Sequence, residues 1–399
     1  MPGHNIQKLL VVSHVVHYER GGRIYAYGPY AREIDIWADL FPRLAIAAPV
    51  RSEDPPGDCI PFTCCNIELI PQRETGGTSV SAKTRQILAV PSLLFGLGRA
   101  MASADAIHVR CPGNLGLLGV ILAPLFSRYL VAKYASQWTG PAETWTVSLQ
   151  RVLLRSRWWR GPVTVYGDWP DQPAHIVPFF TSILDGAQLA RARAAAKSTR
   201  PAGPLRVLYV GRLSRSKNVH VLIAALTKLR DEGVSFRAEI VGDGKERATL
   251  EAQVARDDLT AQIRLVGPVG FEDVLAFYEN ADVLVLASET EGWPKAIAEG
   301  MAFGLVCIGS DRGFVPQMLG DGRGICVAPG DASALAAAIR GVAAAPEAYD
   351  PMRRAATGWA CRYSLEGLQD SLRELFRTHW GWEAGEVKRL RHLDATGGL

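Results

Sequence analysis

Short aliphatic and β-branched runs alternate along the chain with segments whose apolar residues recur every three to four positions. That alternation predicts βαβ units, in which helices cross over between parallel strands. In the first half it predicts strands at Lys8–Ser13, Arg43–Ala47, Ile67–Ile70, Ala106–Val109 and Leu130–Lys133, with helices between them. The second half restarts the pattern. Its strands fall at Arg206–Val210, Arg237–Val241, Ile263–Val266, Val283–Leu286 and Val306–Ile308, separated by helices near Val219–Arg230, Glu246–Ala255, Phe271–Tyr278 and Pro294–Phe303. Two doubly wound α/β halves follow, and two such sheets facing each other would gather their strand-end loops around one cleft.

Between the halves, Ala190–Pro204 reads ARARAAAKSTRPAGP, small and basic and ending on Pro201, Gly203 and Pro204. The boundary is expected there, with a first domain over residues 1–195 and a second over 201–360. Length agrees, because 399 residues exceed what one hydrophobic core ordinarily organises. Hydrophobic residues at 48% and charged residues at 21% exclude a disordered or fibrous chain.

Charge narrows the partners little. Lys and Arg number 44 against 40 Asp and Glu, and a net +4 with no basic tail argues against nucleic acid. Seven cysteines without a C-x-x-C pair suggest neither a disulfide framework nor a zinc site. With no signal-peptide pattern at the start, a cytoplasmic setting is expected. The longest apolar stretch, Leu115–Phe126, contains Pro124 and falls short of the ~20 residues of a membrane span. It reads as a buried helix.

The strand-end loops SHVVHYERGG, VGRLSRSKN and VGDGKERA do not fit a dinucleotide fingerprint. Phosphate-loop, HExxH and GxSxG patterns are also missing, which removes the commonest ATPase, metalloprotease and hydrolase readings. Two loops remain informative. After RVLYV, the run Gly211-Arg212-Leu213-Ser214-Arg215-Ser216-Lys217-Asn218 brings cations to a helix N-terminus, a place suited to an anion such as a diphosphate. The plain alternative is a pair of solvated loop cations. After DVLVLA, the run Ser288–Pro294 leads into KAIAEGMAFG, with Pro294 suited to the first helical position. Glu291 then stands at the mouth of that helix and Glu299 lies inside it among Ala296, Ile297, Met301 and Ala302, where a carboxylate needs a partner. A ribose diol is one candidate.

VGRLSRSKN, VGDG (Val241–Gly244), RLVGPV (Arg264–Val269), ADVLVLASETEGWPKAIAEGMAFG and PGDASALAAAI together resemble the C-terminal half of retaining glycosyltransferases of family 4, which have the two-domain GT-B fold. The first half resembles them more loosely, through its first strand and the pair Gly21-Gly22. The resemblance implies a metal-independent retaining transfer, without a cofactor, from a nucleotide-diphosphate sugar to a hydroxyl acceptor, saccharide or lipid-linked, in glycan, polysaccharide or glycolipid biosynthesis. It implies that Arg212 and Lys217 bind the donor diphosphate beside Gly211, and that Glu299 holds the ribose. Glu291, with Gly292, Trp293 and Pro294, meets the sugar, and Gly267-Pro268 lies beside the base. Gly21 and Gly22 allow close approach of the donor phosphates and the acceptor. Arg212, Lys217 and Glu291 are thereby the expected catalytic group.

The chain departs from the family in two loops. Where relatives carry a His after a middle strand of the first domain, it reads Ala135-Ser136-Gln137-Trp138-Thr139-Gly140, which makes Gln137 the candidate polar contact. After VCIGSD it has Gly313-Phe314-Val315-Pro316-Gln317 in place of a glycine pair followed by Pro-Glu. His14 and His17 follow the first strand and are candidate acceptor-side bases, since imidazole titrates near neutrality. His108 lies in an apolar strand and reads as core.

One segment, RVLLRSRWWR, concentrates Arg151, Arg155, Arg157, Trp158, Trp159 and Arg160 at the end of a helix. Arginines and indoles of this kind suit an anionic membrane face, here the inner face. A buried Trp pair flanked by solvated arginines is the alternative. Leu365, Leu368, Leu372, Leu375 and Phe376 have helical spacing, and the resemblance suggests that this terminal helix, within residues 361–382, packs back on the first domain; residues 383–399 form a tail. Two rival functions stand beside the transferase: a nucleotide-sugar epimerase on the same fold, and a catalytically silent nucleotide-sugar-binding subunit.

Overall fold

The computed structural model describes residues 6–74, 80–140, 144–182, 184–198 and 203–383, and the side chains of all of these but residues 80–89. The chain forms two compact units, one of Met1–Ile183 with Leu365–Leu399, the other of Leu184–Ser364.

In the first unit the aliphatic runs become the strands. In chain order it contains β1 (Lys8–Val12), β2 (His17–Arg20), β3 (Arg23–Tyr27), α1 (Gly28–Ala38), β4 (Arg43–Arg51), β5 (Cys59–Pro61), β6 (Ile67–Gln72) and α2 (Val80–Ala102). There follow β7 (Ala106–Cys111), α3 (Asn114–Leu122), a 3-10 turn (Ala123–Leu125), β8 (Tyr129–Tyr134), α4 (Trp145–Arg155), β9 (Val163–Tyr166) and β10 (Ile176–Phe179). The sheet runs β10-β9-β8-β7-β1-β4-β2-β3-β5, with β6 also on β4. Alternate residues of β1 serve opposite faces, as strand geometry requires. Leu9 and Val11 join the core under α1, while Leu10 and Val12 join the core under α2, α3 and α4.

Where a helix was expected directly after β1, the chain makes the β2–β3 hairpin, paired antiparallel with Arg20 opposite Arg23. Gly21 and Gly22 form its two-residue turn at φ +56° and +73°. Both turn positions need positive φ, which glycine supplies without steric cost. That turn accounts for both glycines by itself, a local reason other than the close approach inferred for them.

The second unit begins with α5 (Gly186–Lys197) and continues with β11 (Leu205–Val210), a 3-10 turn (Arg215–Lys217), α6 (Val219–Asp231), β12 (Phe236–Val241), α7 (Arg247–Arg256), β13 (Ile263–Gly267), α8 (Phe271–Glu279) and β14 (Val283–Leu286). It ends with α9 (Lys295–Ala302), β15 (Val306–Ser310), α10 (Val315–Leu319), β16 (Ile325–Val327), α11 (Ala332–Ala344), a 3-10 turn (Pro346–Tyr349) and α12 (Asp350–Ala360). All six strands pair in parallel in the order β13-β12-β11-β14-β15-β16.

The units divide before α5, rather than after it. Arg191 of α5 donates twice to Glu279 of α8, at 2.6 and 2.8 Å, and Gln188 donates to Glu272 at 2.6 Å. These bonds tie a helix assigned by sequence to the first domain into the second. The terminal helix α13 (Leu365–Trp380) belongs to the first unit. Its Phe376 lies edge-on to Trp37 and Phe41, Trp382 stacks on Phe41 at 4.8 Å, and Trp380 donates to the Leu130 carbonyl at 3.1 Å. The expected tail falls, from residue 384 onward, outside the described residues.

Candidate functional site

At the carboxyl ends of β11, β12 and β13 the backbone is stitched together. Gly211 N–H donates to the Val241 carbonyl, Gly242 N–H to Gly267, and Leu213 N–H to Asp243, at 2.8–3.0 Å. This crossing leaves no room for side chains. A Cβ on Gly242 would overlap the Gly211 carbonyl oxygen, and one on Gly244 would overlap that of Leu213. The glycines of VGDG are therefore packing residues for the cation-bearing loop, and Gly267 at φ +93° closes the same arrangement while Pro268 stays exposed.

The loop after β11 makes one 3-10 turn and then Asn218, at φ +52°, starts α6. The Asn218 side chain donates to the Ala287 carbonyl at 3.0 Å and to Glu289 Oε1 at 2.6 Å, and Glu289 N–H donates to the Ser216 carbonyl at 2.8 Å. The two informative loops are thus bound edge to edge. Lys217 Nζ consequently lies 2.6 Å from Glu291 Oε1, with the carboxylate almost wholly buried and the lysine partly exposed. Arg212 is exposed, and its carbonyl accepts from the buried Tyr209 hydroxyl at 3.0 Å. Burial, and then the Glu291 charge, push that hydroxyl well above the usual tyrosine range.

Glu291 is held from a third side. Gly313, at φ +57°, sits so close to the Glu291 carbonyl that any Cβ would overlap it. The residue after it, Phe314, stacks on Trp293 at 5.1 Å, and Trp293 in turn stacks on Trp359 at 5.9 Å. The departure from the family at Phe314 is therefore part of an aromatic cluster that fixes the loop Glu291-Gly292-Trp293-Pro294. Pro294 caps α9 rather than opening it: helical residues begin at Lys295, and the Pro294 carbonyl accepts from Ile297 and Ala298.

Glu299, one turn into α9, is buried, and its Oε2 accepts from the Tyr278 hydroxyl at 2.7 Å. Tyr278 is itself buried and stacked on Phe303 at 5.6 Å. Burial first, then the Glu299 charge, raise its pKa well above the ordinary value. The carboxylate thus has a protein partner. Sequence reasoning missed the roles of Asn218 and Tyr278, which arise from contacts between segments. Gly242 and Gly244 were visible in VGDG, as was Gly313 beside Phe314, but not with these roles.

The first-unit candidates separate. His17 is fully buried on β2, its Nδ1 2.9 Å from the Val15 carbonyl and its ring stacked on Phe62. Burial lowers its pKa to about 4. A side chain sealed in a strand cannot reach an acceptor, so its assignment as a base is withdrawn. His14 is exposed beyond β1 and lies against Gly113 ahead of α3. Gln137 follows β8, and its carbonyl accepts from Arg151 at 2.7 Å. His108 is core as expected, stacked on Trp37 at 4.2 Å.

The basic aromatic segment does not act as one patch. Arg151 is buried and holds Tyr134 Oη, the Gly140 carbonyl and the Gln137 carbonyl at 3.0, 2.8 and 2.7 Å. Arg155 lies over Trp138 and donates to Gln172, and Trp159 is buried. These three are structural. Arg157, Trp158 and Arg160 remain exposed.

Residues 190–359 match the family described as glycosyl transferases group 1. A glycogen synthase of Mycobacterium tuberculosis is 35% identical over 177 residues, 44% of this chain and 42% of that protein. The amylovoran biosynthesis glycosyltransferase AmsK of Erwinia amylovora is 36% identical over 143 residues, 34% of this chain and 35% of that one. The matches thus span less than half the length of these relatives. Anabaena HepE, solved in complex with UDP and glucose, shares the fold at a TM-score of 0.66 and 16% identity, over 93% of this chain and 100% of that one. The second unit thus resembles the group 1 glycosyl transferases, and the fold, two Rossmann-like α/β units, is GT-B.

Proposed function

We propose that the protein is a retaining glycosyltransferase that moves a sugar from a nucleotide-diphosphate donor to a hydroxyl of a saccharide or lipid-linked acceptor in polysaccharide biosynthesis. The observation that carries the reading is the Lys217–Glu291 pair at 2.6 Å, held at the carboxyl end of a parallel sheet eight residues ahead of the buried Glu299. Breaking the sugar–phosphate bond leaves negative charge on the diphosphate and positive charge on the sugar ring. Lys217 and Arg212 stabilise the first, in the manner of preorganised donors aimed at developing charge. Glu291, whose charge Lys217 already balances, is held by Gly313 and Trp293 where the sugar would lie. Glu299 accepts the ribose hydroxyls while Tyr278 fixes its orientation. The acceptor hydroxyl attacks the anomeric carbon from the face the diphosphate leaves, and its proton passes to a departing phosphate oxygen.

The relatives support this chemistry by what they are: a glycogen synthase, an amylovoran biosynthesis glycosyltransferase and a protein solved with UDP and glucose. Incubating the protein with a panel of nucleotide sugars, with and without saccharide acceptors, tests it. Transfer with the anomeric configuration kept, read by NMR, is the expected outcome. Epimerised donor without acceptor, or binding across the panel with no turnover, overturns it.

A further inference from the structure

Nine large apolar side chains stand exposed among the described residues, and eight of them belong to a single layer of the first unit. They are Val90, Leu94 and Phe95 of α2, Leu125 and Phe126 at the turn after α3, Trp145 and Val152 of α4, and Trp158 just beyond it. Exposure is large at Phe95 (75%), Trp145 (74%), Leu125 (66%) and Val152 (62%). Random placement does not produce this, since isolated surface hydrophobes are ordinary but a contiguous set marks an interaction surface.

The set is contiguous because its elements share one layer. The inward faces of α2, α3 and α4 pack into one core, through Leu93 and Leu97, Leu115 and Val120, and Leu154. Phe126 approaches Gly98 of α2, and Trp158 Nε1 donates to the Val120 carbonyl of α3 at 3.0 Å. Helix α4 directs Gln150, Arg151 and Leu154 inward and leaves Trp145 and Val152, two turns apart, outward. An amphipathic helix on a water-facing surface does the reverse.

Charge identifies what covers this face. From residue 90 to residue 160 the sequence has eight Lys and Arg against two acids, Asp105 and Glu143, and of the eight, Arg110, Lys133 and Arg151 are engaged inside the unit. Asp105 is engaged by the backbone N–H groups of Gln7 and Lys8 ahead of β1. Arg99, Arg128, Arg157 and Arg160 are exposed on the same elements as the apolar side chains or on the turns that end them. Apolar side chains that insert at the acyl boundary, among cations that meet phosphate headgroups, fit a bilayer surface. Among the described residues no helix is long and apolar enough to cross a membrane.

We propose that the outward face of α2, α3 and α4 docks the protein on an anionic phospholipid bilayer, with Phe95, Trp145 and Val152 entering the interface and Arg157 and Arg160 meeting headgroup phosphates. The contact differs from a basic patch centred on Arg151, which is buried. Vesicle sedimentation of the full chain tests it, with phosphatidylcholine alone and with phosphatidylcholine mixed with phosphatidylglycerol. The wild type is expected to sediment with the mixed vesicles and much less with phosphatidylcholine. Arg157→Ala and Arg160→Ala each lower partitioning about fivefold. The combined Phe95→Ser, Trp145→Ser and Val152→Ser variant loses it, with an unchanged melting temperature and unchanged nucleotide binding in solution. Wild type left in the supernatant at low salt, or a triple variant that still sediments, overturns the proposal. So does a wild type that self-associates in light scattering while the triple variant is monomeric and neither binds vesicles, because a second copy of the chain then covers the face.

Discussion

The two units are both parallel sheets under helices, yet they handle charge in opposite ways. The first buries it: Glu33 of α1 and Lys133 of β8 meet at 2.7 Å with side chains only 2% and 3% exposed, and Arg110 of β7 lies 3.5 Å from the same carboxylate. Around its two apolar cores it also leaves large apolar side chains outside. The second unit keeps large apolar side chains inside, among the described residues, and brings its ions to loops at strand ends, as at Lys217–Glu291. Ions sealed in a core serve the fold, because they are out of a ligand's reach. Ions at a strand end can be shared with a ligand, and it is there that open α/β sheets bind one.

The largest effect that tests this contrast is on the sealed pair. Glu33→Ala strands Lys133 as a buried cation, a change that costs about 3–5 kcal/mol where one partner of a buried pair is removed. Denaturant unfolding of the variant should show that loss, with nucleotide binding by the second unit retained. A loss below about 1 kcal/mol would put this pair in the class of exposed ion pairs and break the comparison.

The second unit predicts the opposite balance. Lys217→Ala leaves the buried Glu291 carboxylate without its cation, but the lysine is partly exposed, so the stability cost should stay below that of Glu33→Ala. Turnover of a nucleotide sugar should fall about 10²–10³-fold if the lysine neutralises the leaving diphosphate. Steady-state rates measured beside a thermal melt separate the two. A variant with near wild-type turnover removes Lys217 from the chemistry.

The same contrast explains what the sequence made legible. Strand β14 was expected at its observed bounds, and α6 at Val219–Asp231 within one residue, because each element there is a self-contained period. The loops could be read too, since Lys217 and Glu291 each sit beside the strand end that positions them. The Glu33–Lys133 pair was invisible: 100 residues separate its members, and a lone Glu on a helix gives no sign of burial. Arg151 misled for the same reason. Its neighbours Arg155, Arg157 and Arg160 suggest a solvated run, but its partners Tyr134, Gln137 and Gly140 come from another segment. The β2–β3 hairpin was legible in principle, as Gly21-Gly22 lies between residues of strand type, and the βαβ expectation overrode it.

A pH titration sharpens the comparison next. His17 and His108 are sealed in the first unit, and burial lowers their pKa values to about 4 and about 3; at His108 the nearby Glu33 opposes the shift, while Arg110 and Lys133 add to it. The unfolded chain takes up these protons near pH 6.5 and the folded one only below about 4. Unfolding is therefore increasingly favoured as pH falls through that window, and the stability these neutral rings confer is intact above it. Between pH 6.5 and 5 the loss is about 2 kcal/mol for each histidine. The second unit's one histidine, His220, is exposed. His108→Leu should flatten the pH dependence of unfolding, and an unchanged slope would show that the ring is not the group being titrated.

The smallest expected effect asks whether the second unit also depends on a buried partner. Tyr278 lies on α8 and Glu299 on α9, and the 2.7 Å bond between them is buried, as the sealed pairs of the first unit are. If Tyr278 only fills space, Tyr278→Phe, which keeps the ring stacked on Phe303, should leave nucleotide affinity alone. If it orients Glu299 toward a ribose, the loss of one hydrogen bond of about 1 kcal/mol weakens nucleotide binding roughly fivefold. The loss should fall in KM for the donor, with kcat held, because the ribose stays bound from ground state to transition state. Calorimetry with the nucleoside diphosphate reads the affinity directly. A fall in kcat at constant KM would mean that Tyr278 acts on the reacting end instead, and that the second unit couples its buried bonds to the chemistry more tightly than the charge pattern implies.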